Sequence, residues 1–240
     1  VGKAQEGNLV ADVVVVAPHS DDEVLGAGGT IAAFARAGAT VTVVTVCTEY
    51  EPIFPAGSAE LTQAEAKRAH KLLGVSESIF FDYSAVELNQ VPVAELNGRI
   101  QQVMDGINPE IVFLPFPDRH IDHRIVCEAT VVATRPYRKG RQIRLTAMYE
   151  TISETFWNVP GTEPTFSPHW TVDISDTIEA KLAAFGEMPS RHVHFPGPRS
   201  IEALDALAKF RGSQASCGYG EAFQLVRTSL HPTELTRMWP

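Results

Sequence analysis

No run of apolar residues in this chain is long enough to span a bilayer, which takes about 20; the continuous one near the start is only Val13 to Ala17. No basic, apolar and small-residue order of the secretory kind precedes it. Cysteine is scarce. The three present, Cys47, Cys127 and Cys217, form no CxxC pair, and an odd count without a framework suits a reducing compartment. Excess positive charge is missing too: a formal net charge of −9 gives no help to nucleic-acid or anionic-membrane binding, and lysine and arginine read as scattered. There is no repeat and no low-complexity tract. These absences lead us to expect a cytoplasmic protein with a small-molecule partner, no nucleic acid and no stable membrane insertion.

What is present is a globular pattern, 240 residues with 44% hydrophobic and 20% charged, enough to bury a core in one domain spanning 1–240. Strand and helix alternate. Asp12–Ala17 is a β-branched run of the kind buried on both faces of a parallel sheet. Helix 24–37, strand 40–47, helix 61–73, strand 78–81, helix 93–107, strand 110–114, helix 121–134 and strand 145–150 follow. The last third is less regular, with strands at 170–174 and 222–226 and helices at 176–185 and 201–211. Proline-rich stretches at 159–168 and 195–198 read as loops, not domain linkers. The expected fold is α/β, a Rossmann-like three-layer sandwich whose mainly parallel sheet has the order 3-2-1-4-5, plus a less regular C-terminal portion.

Two turns carry the densest His and Asp content. Pro18-His19-Ser20-Asp21-Asp22-Glu23 follows the first strand, and Pro117-Asp118-Arg119-His120-Ile121-Asp122-His123 follows the fourth. In the expected strand order these ends meet at the topological switch point, where such sheets bind ligands. Two imidazoles and a carboxylate form a catalytic zinc site, because three protein ligands leave a position open. His19, Asp22 and His123 are therefore the expected metal ligands and Zn2+ the expected cofactor. Asp21, beside a ligand with its own carboxylate free, is the candidate general base. His120 is the candidate donor to an oxyanion or departing amine, and Asp122 the candidate partner fixing an imidazole tautomer.

The motifs PHSDDEVLGAGG and RHIDH resemble those of the LmbE/PIG-L family of metal-dependent deacetylases, whose signatures have the form PHxDDE and HxDH. The resemblance runs through the order of elements over roughly the first 150 residues, and the Arg211–Phe223 segment is similar to the family's C-terminal portion. It implies zinc at His19, Asp22 and His123, a base at Asp21, oxyanion stabilisation by His120, and a homo-oligomer. The implied activity is removal of acetyl from an N-acetylated amino sugar or glycoconjugate. Two departures bear on the substrate. Thr62 stands near where the family often has an arginine before the helix glutamate, here Glu65. The loop Thr48-Glu49-Tyr50-Glu51-Pro52 replaces a small glycine-containing segment.

Blander readings compete. An isolated HxxD is usually a helix cap, and Gly26-Ala27-Gly28-Gly29 serves close helix–sheet packing better than dinucleotide binding, since its spacing is not GxGxxG. An ordinary salt bridge from Asp122 to Arg119 or Arg124 is an alternative to the tautomer role. Glu23 reads as ordering the turn or pairing with a base. His70 and His169 read as structural or exposed, Cys47 as core, and Tyr50, Phe54 and Trp157 as loop aromatics able to stack on a sugar. His192 and His194 lie in a loop that could border the cleft. Two rival chemistries share the metal ligands: iron-dependent oxidation, using the same two-His-one-carboxylate set, and metal-assisted hydration. A non-catalytic sugar-binding module is the third alternative.

Overall fold

A computed structural model describes residues 11–230 and 232, so both ends of the expected 1–240 unit lie outside the described residues. Seven strands form one sheet: β1 (Asp12–Ala17), β2 (Thr40–Thr48), β3 (Glu77–Ser84), β4 (Ile111–Pro115), β5 (Leu145–Tyr149), β6 (Trp170–Asp173) and β7 (Gly220–Thr228). Their order is β3-β2-β1-β4-β5-β7-β6, parallel from β3 to β5 and antiparallel at the β5–β7 and β7–β6 pairs. The expected 3-2-1-4-5 order is therefore present, extended by the two late strands. The helices are α1 (Asp22–Arg36), α2 (Ser58–Leu73), α3 (Val93–Ile107), α4 (Ile121–Ala133), α5 (Ile178–Gly186) and α6 (Ile201–Ser213).

The valine run of β1 builds both faces of the core at once. Val13 and Val15 pack with Leu25, Ile31, Ala66 and Phe185 from the α1, α2 and α5 layer. Val14 and Val16 pack with Leu96, Ile100, Met104 and Val126 from α3 and α4. Alternating Cβ directions make this necessary: a strand apolar at every position must be covered on both sides. Among the described residues no helix is long and apolar enough to cross a membrane.

Helix α1 lies unusually close to its neighbours, as its glycines anticipated. A Cβ on Gly26 would sit 2.7 Å from the Glu150 carbonyl oxygen, and one on Gly29 would sit 2.7 Å from Ile174 Cδ1. A backbone oxygen cannot swing aside as a side chain can. Gly26→Ala is thus expected to cost about 1–3 kcal/mol through overpacking, seen as a Tm drop of roughly 2–4 °C per kcal/mol in a thermal melt. An unchanged Tm would show that the helix has room to retreat.

Side chains from the last third also grip α1. Glu221 on β7 accepts from Gly29 N at 2.9 Å and Thr30 N at 2.7 Å. Lys181 on α5 pairs with Glu221 and donates to Leu25 O at 2.8 Å. Both side chains are buried.

One reading of the sequence needs correction. Lysine and arginine are not evenly scattered: Arg135, Arg138, Lys139 and Arg141 crowd the α4–β5 connection and are exposed. Two of these guanidiniums, from Arg135 and Arg138, lie over the Tyr137 ring. This connection leads into the start of β5, at the sheet end opposite the carboxyl ends of β1 and β4.

Candidate metal centre

Parallel pairing of β1 with β4, Val13 opposite Ile111 and Val15 opposite Phe113, brings the two His/Asp turns side by side. The first turn leads directly into α1, whose first residues are Asp22 and Glu23. The second leads into α4, capped by His120. Carboxylates at a helix start are favoured by the positive end of the helix dipole, so the fold positions and stabilises Asp22 in the same step.

Asp22 Oδ2 lies 3.2 Å from His19 Nδ1 and 3.2 Å from His123 Nε2. Donor atoms held at 2.0–2.1 Å around a tetrahedral ion stand about 3.3 Å apart, and both contacts of Asp22 Oδ2 have that spacing. The far nitrogen of each imidazole meets a carboxylate: His19 Nε2 lies 3.0 Å from Asp122 Oδ2, and His123 Nδ1 lies 3.1 Å from Asp118 Oδ2. This is the arrangement that fixes tautomer and orientation in metal-ligating histidines. His19, His120 and His123 also each present a ring nitrogen to a common space, the three within 4.8 Å of one another.

The electrostatics describe a cluster that attracts positive charge. Burial disfavours a charged His19, yet the Asp122 and Asp22 carboxylates raise its pKa to about 9. Burial is likewise outweighed at His123, which Asp22 and Asp118 push well above the usual range. Burial would neutralise Asp22, but the two imidazoles hold its carboxyl well below the carboxylate range. A cation seated among these groups supplies the compensation that imidazole protons otherwise provide.

His120 behaves in the opposite sense. Burial, then repulsion from His19 and His123, lowers its pKa to about 4. Its Nδ1 accepts from Asp122 N at 3.2 Å, so the neutral ring carries its proton on Nε2. Asp122 itself accepts from Val86 N at 2.7 Å as well as facing His19. The alternative salt bridges are not made: Arg124 donates to the Asp118 and Arg119 carbonyls, and Arg119 to that of Trp157.

Asp21 is buried and its carboxylate is flanked by two guanidiniums, with Oδ2 3.4 Å from Arg199 Nη1 and 3.9 Å from Arg191 Nε. Burial pushes its carboxyl above the ordinary range against the pull of Arg191 and Arg199. Arg191 is held in turn by the Glu49 carboxylate and the Ser20 carbonyl. A cavity of about 260 Å³ opens over these groups, walled by Glu49, Phe54, Ser153, Glu154, Arg191 and Arg199 as well as the metal-centre residues.

Several of these contributors were not singled out from the sequence. Asp118 carries no sequence signal beyond its place in the turn, yet it bonds His123 Nδ1, His120 N and Thr155 Oγ1. Arg191 and Arg199 bracket the loop whose histidines drew attention. His192 instead bonds the Phe185 carbonyl, and His194 is exposed. His70 proves buried, clasped between Glu23 Oε1 at 3.0 Å and Ser78 Oγ at 2.7 Å, which makes it the base that Glu23 pairs with. Of the loop aromatics, Phe54 lines the cavity; Tyr50 and Trp157 are about half exposed.

Comparison with known proteins bears on the fold and the family. Diacetylchitobiose deacetylase of Thermococcus kodakarensis is 26% identical over 240 aligned residues, covering 91% of this chain and 84% of the relative. The structure of N,N'-diacetylchitobiose deacetylase from Pyrococcus horikoshii superposes with a TM-score of 0.71 at 24% identity, covering 90% of this chain and 84% of the other. GalB, a 4-carboxy-2-hydroxymuconate hydratase of Pseudomonas putida, has the same fold with a TM-score of 0.71 at 20% identity, covering 92% of this chain and 98% of the other. Fold alone therefore does not choose the reaction. The profile of the GlcNAc-PI de-N-acetylase family matches residues 14–134. That span holds both His/Asp turns and their supporting strands, and the chain belongs to the GlcNAc-PI de-N-acetylase (PIG-L) family.

Proposed function

We propose that this protein is a zinc-dependent deacetylase of an N-acetylated amino sugar or a conjugate of one, with all 240 residues serving that single activity. The observation that carries the reading is that Asp22 Oδ2 lies 3.2 Å from both His19 Nδ1 and His123 Nε2, with the far nitrogen of each imidazole backed by its own carboxylate. The deacetylase relatives and the family match support the reaction class.

His19, Asp22 and His123 would hold the zinc, which when bound would supply Lewis acidity towards water and the acetamide carbonyl. Asp21, outside the trio, takes a proton from the attacking water. Its elevated pKa brings it closer to the working pH, where a general base transfers protons best. His120, neutral and protonated at Nε2, donates to the carbonyl oxygen as negative charge grows there. The C–N bond then breaks, the proton held by Asp21 passes to the amine nitrogen, and acetate and the free amine leave.

The small cavity fits one sugar ring better than an extended chain, since general ligand clefts run to about 300–1,000 Å³. Glu154, whose carboxyl burial pushes up, and Ser153 offer hydrogen-bonding groups to ring hydroxyls at its wall. Asp122 acts as a positioning residue through His19. Asp122→Asn is expected to weaken metal binding by roughly 10–100-fold, measured by competition with a chromophoric chelator; unchanged affinity would remove Asp122 from the support of the centre.

The decisive experiment is acetate release from a panel of N-acetylated monosaccharides, chitobiose and N-acetylglucosaminyl conjugates, before and after chelation. Activity is expected to vanish with the metal and return with zinc. Activity that survives complete metal removal, or a zinc-loaded enzyme inert on the whole panel, would overturn the proposal.

A further inference from the structure

The His19 ring has two faces, and only Nδ1 is directed at the trio above. Beside it stands a second donor set, one ligand atom each from His19, Cys47 and Asp122, all within 4.8 Å of one another, with His19 Nε2 3.0 Å from Asp122 Oδ2. Cys47 and Asp122 are 4% and 0% exposed. The register of β2 against β3 shifts between Thr45 and Cys47, and Val44, Val46 and Cys47 all join the core cluster on the α3–α4 side. A bulge of this kind re-aims a side chain, commonly next to a functional centre. Cys47 N is bonded to the Pro18 carbonyl at 2.8 Å, which ties the cysteine to the residue before His19.

A second observation bears on the set. Asp122 Oδ1 is buried with no oxygen or nitrogen donor among the described residues, and the Cys47 thiol faces the Asp122 carboxylate. A thiol proton held against a buried carboxylate is one that a soft cation can replace.

We propose that His19 Nε2, Cys47 Sγ and the Asp122 carboxylate form an inner site for a second divalent cation of borderline or soft character, such as zinc, cobalt or cadmium, and that filling it inhibits the enzyme. Thiolate and imidazole select such ions over magnesium or calcium. On binding, the Cys47 thiol proton and the His19 Nε2 proton pass to solvent, and the cation takes their place against Sγ, Nε2 and Asp122. Two dications then stand on opposite nitrogens of one ring, and their mutual repulsion loosens the hold on the first. Asp122 stops orienting His19 and becomes a ligand. The inhibition rests on the reading of His19 as a ligand of the catalytic ion; the binding itself does not.

The test is titration of the metal-free full chain with cobalt. Beyond one equivalent, a thiolate-to-cobalt charge-transfer band is expected in the near ultraviolet. Cys47→Ser should bind the first equivalent and lose that band, whereas Cys127→Ser and Cys217→Ser keep it. Should the serine variant fold poorly, Cys47→Ala serves, with circular dichroism confirming the fold. In parallel, excess zinc should inhibit the unsubstituted enzyme with an inhibition constant about 10–100-fold lower than for the Cys47 variant, the range set by loss of one metal-site partner. The absence of a Cys47-dependent band at any cobalt ratio, or equal zinc sensitivity in both proteins, overturns the proposal. A Cys47-dependent band in a protein that releases no acetate from any substrate would leave the inner site standing and defeat the deacetylase reading alone.

Discussion

Replacing Asp21 with asparagine is expected to lower kcat by roughly 10²–10⁴-fold, the usual contribution of a positioned base, while the bound zinc stays in place. The amide keeps the size of the side chain but cannot accept the proton. Arg191 and Arg199 flank the Asp21 carboxylate, and they would hold an amide oxygen in nearly the same position. Asp22→Asn makes the informative contrast, because Asp22 Oδ2 stands between both imidazoles and its loss should release the metal. Acetate release and metal content measured on the same preparations separate the two. If the Asp21 variant loses its zinc along with its activity, the residue belongs among the ligands and the assignment fails.

The second large effect concerns stability. Glu221→Ala leaves the Lys181 ammonium buried without its counter-ion and removes the acceptor for Gly29 N and Thr30 N. Removing one member of a buried pair typically costs 3–5 kcal/mol, a Tm drop of roughly 6–20 °C for a chain of this size. Adding Lys181→Met to Glu221→Ala should recover part of the loss, since the methionine needs no partner. Equal melting of the single and double variants would place the cost in the helix N–H groups instead of the stranded charge.

The juxtaposition of the two His/Asp turns was legible in the sequence because they follow strands that neighbour each other. The β-branched run at Asp12–Ala17 and the apolar run within 110–114 announce buried parallel strands, and the switch-point rule places their ends together. The helix start was read two residues late. Asp22 and Glu23 looked like turn residues, yet they occupy the first turn of α1. Strand β3 continues past Phe81 to Ser84 because polar Asp82 alternates with buried Phe81 and Tyr83, a pattern that a search for continuous apolar runs overlooks.

What could not be read is whatever depends on closure of the last third over the first. Arg199 meets Asp21 across 178 positions, and no local spacing encodes such a contact. His70 could be placed on a helix but not against Glu23, because its burial depends on how α2 packs beside α1. Asp118 was closer to reach: it precedes His120 in the same turn, and a carboxylate two residues before a helix cap was a signal available to be used.

The two departures noted at Thr62 and Glu49 also gain a physical setting. Glu49 carries the counter-charge for Arg191, a cation delivered to the cavity wall from the other end of the chain. Thr62 remains buried within α2.

The proposed reacting groups come from Pro18–Glu23 and Asp118–His123, whereas the rest of the cavity wall comes from other loops, Glu49 and Phe54 between those turns and Ser153, Glu154, Arg191 and Arg199 after them. Chemistry and choosiness thus occupy separate stretches of polypeptide. An engineer wishing to retarget the enzyme could graft new wall loops while leaving the two His/Asp turns untouched, and natural descendants could diversify by the same division of labour.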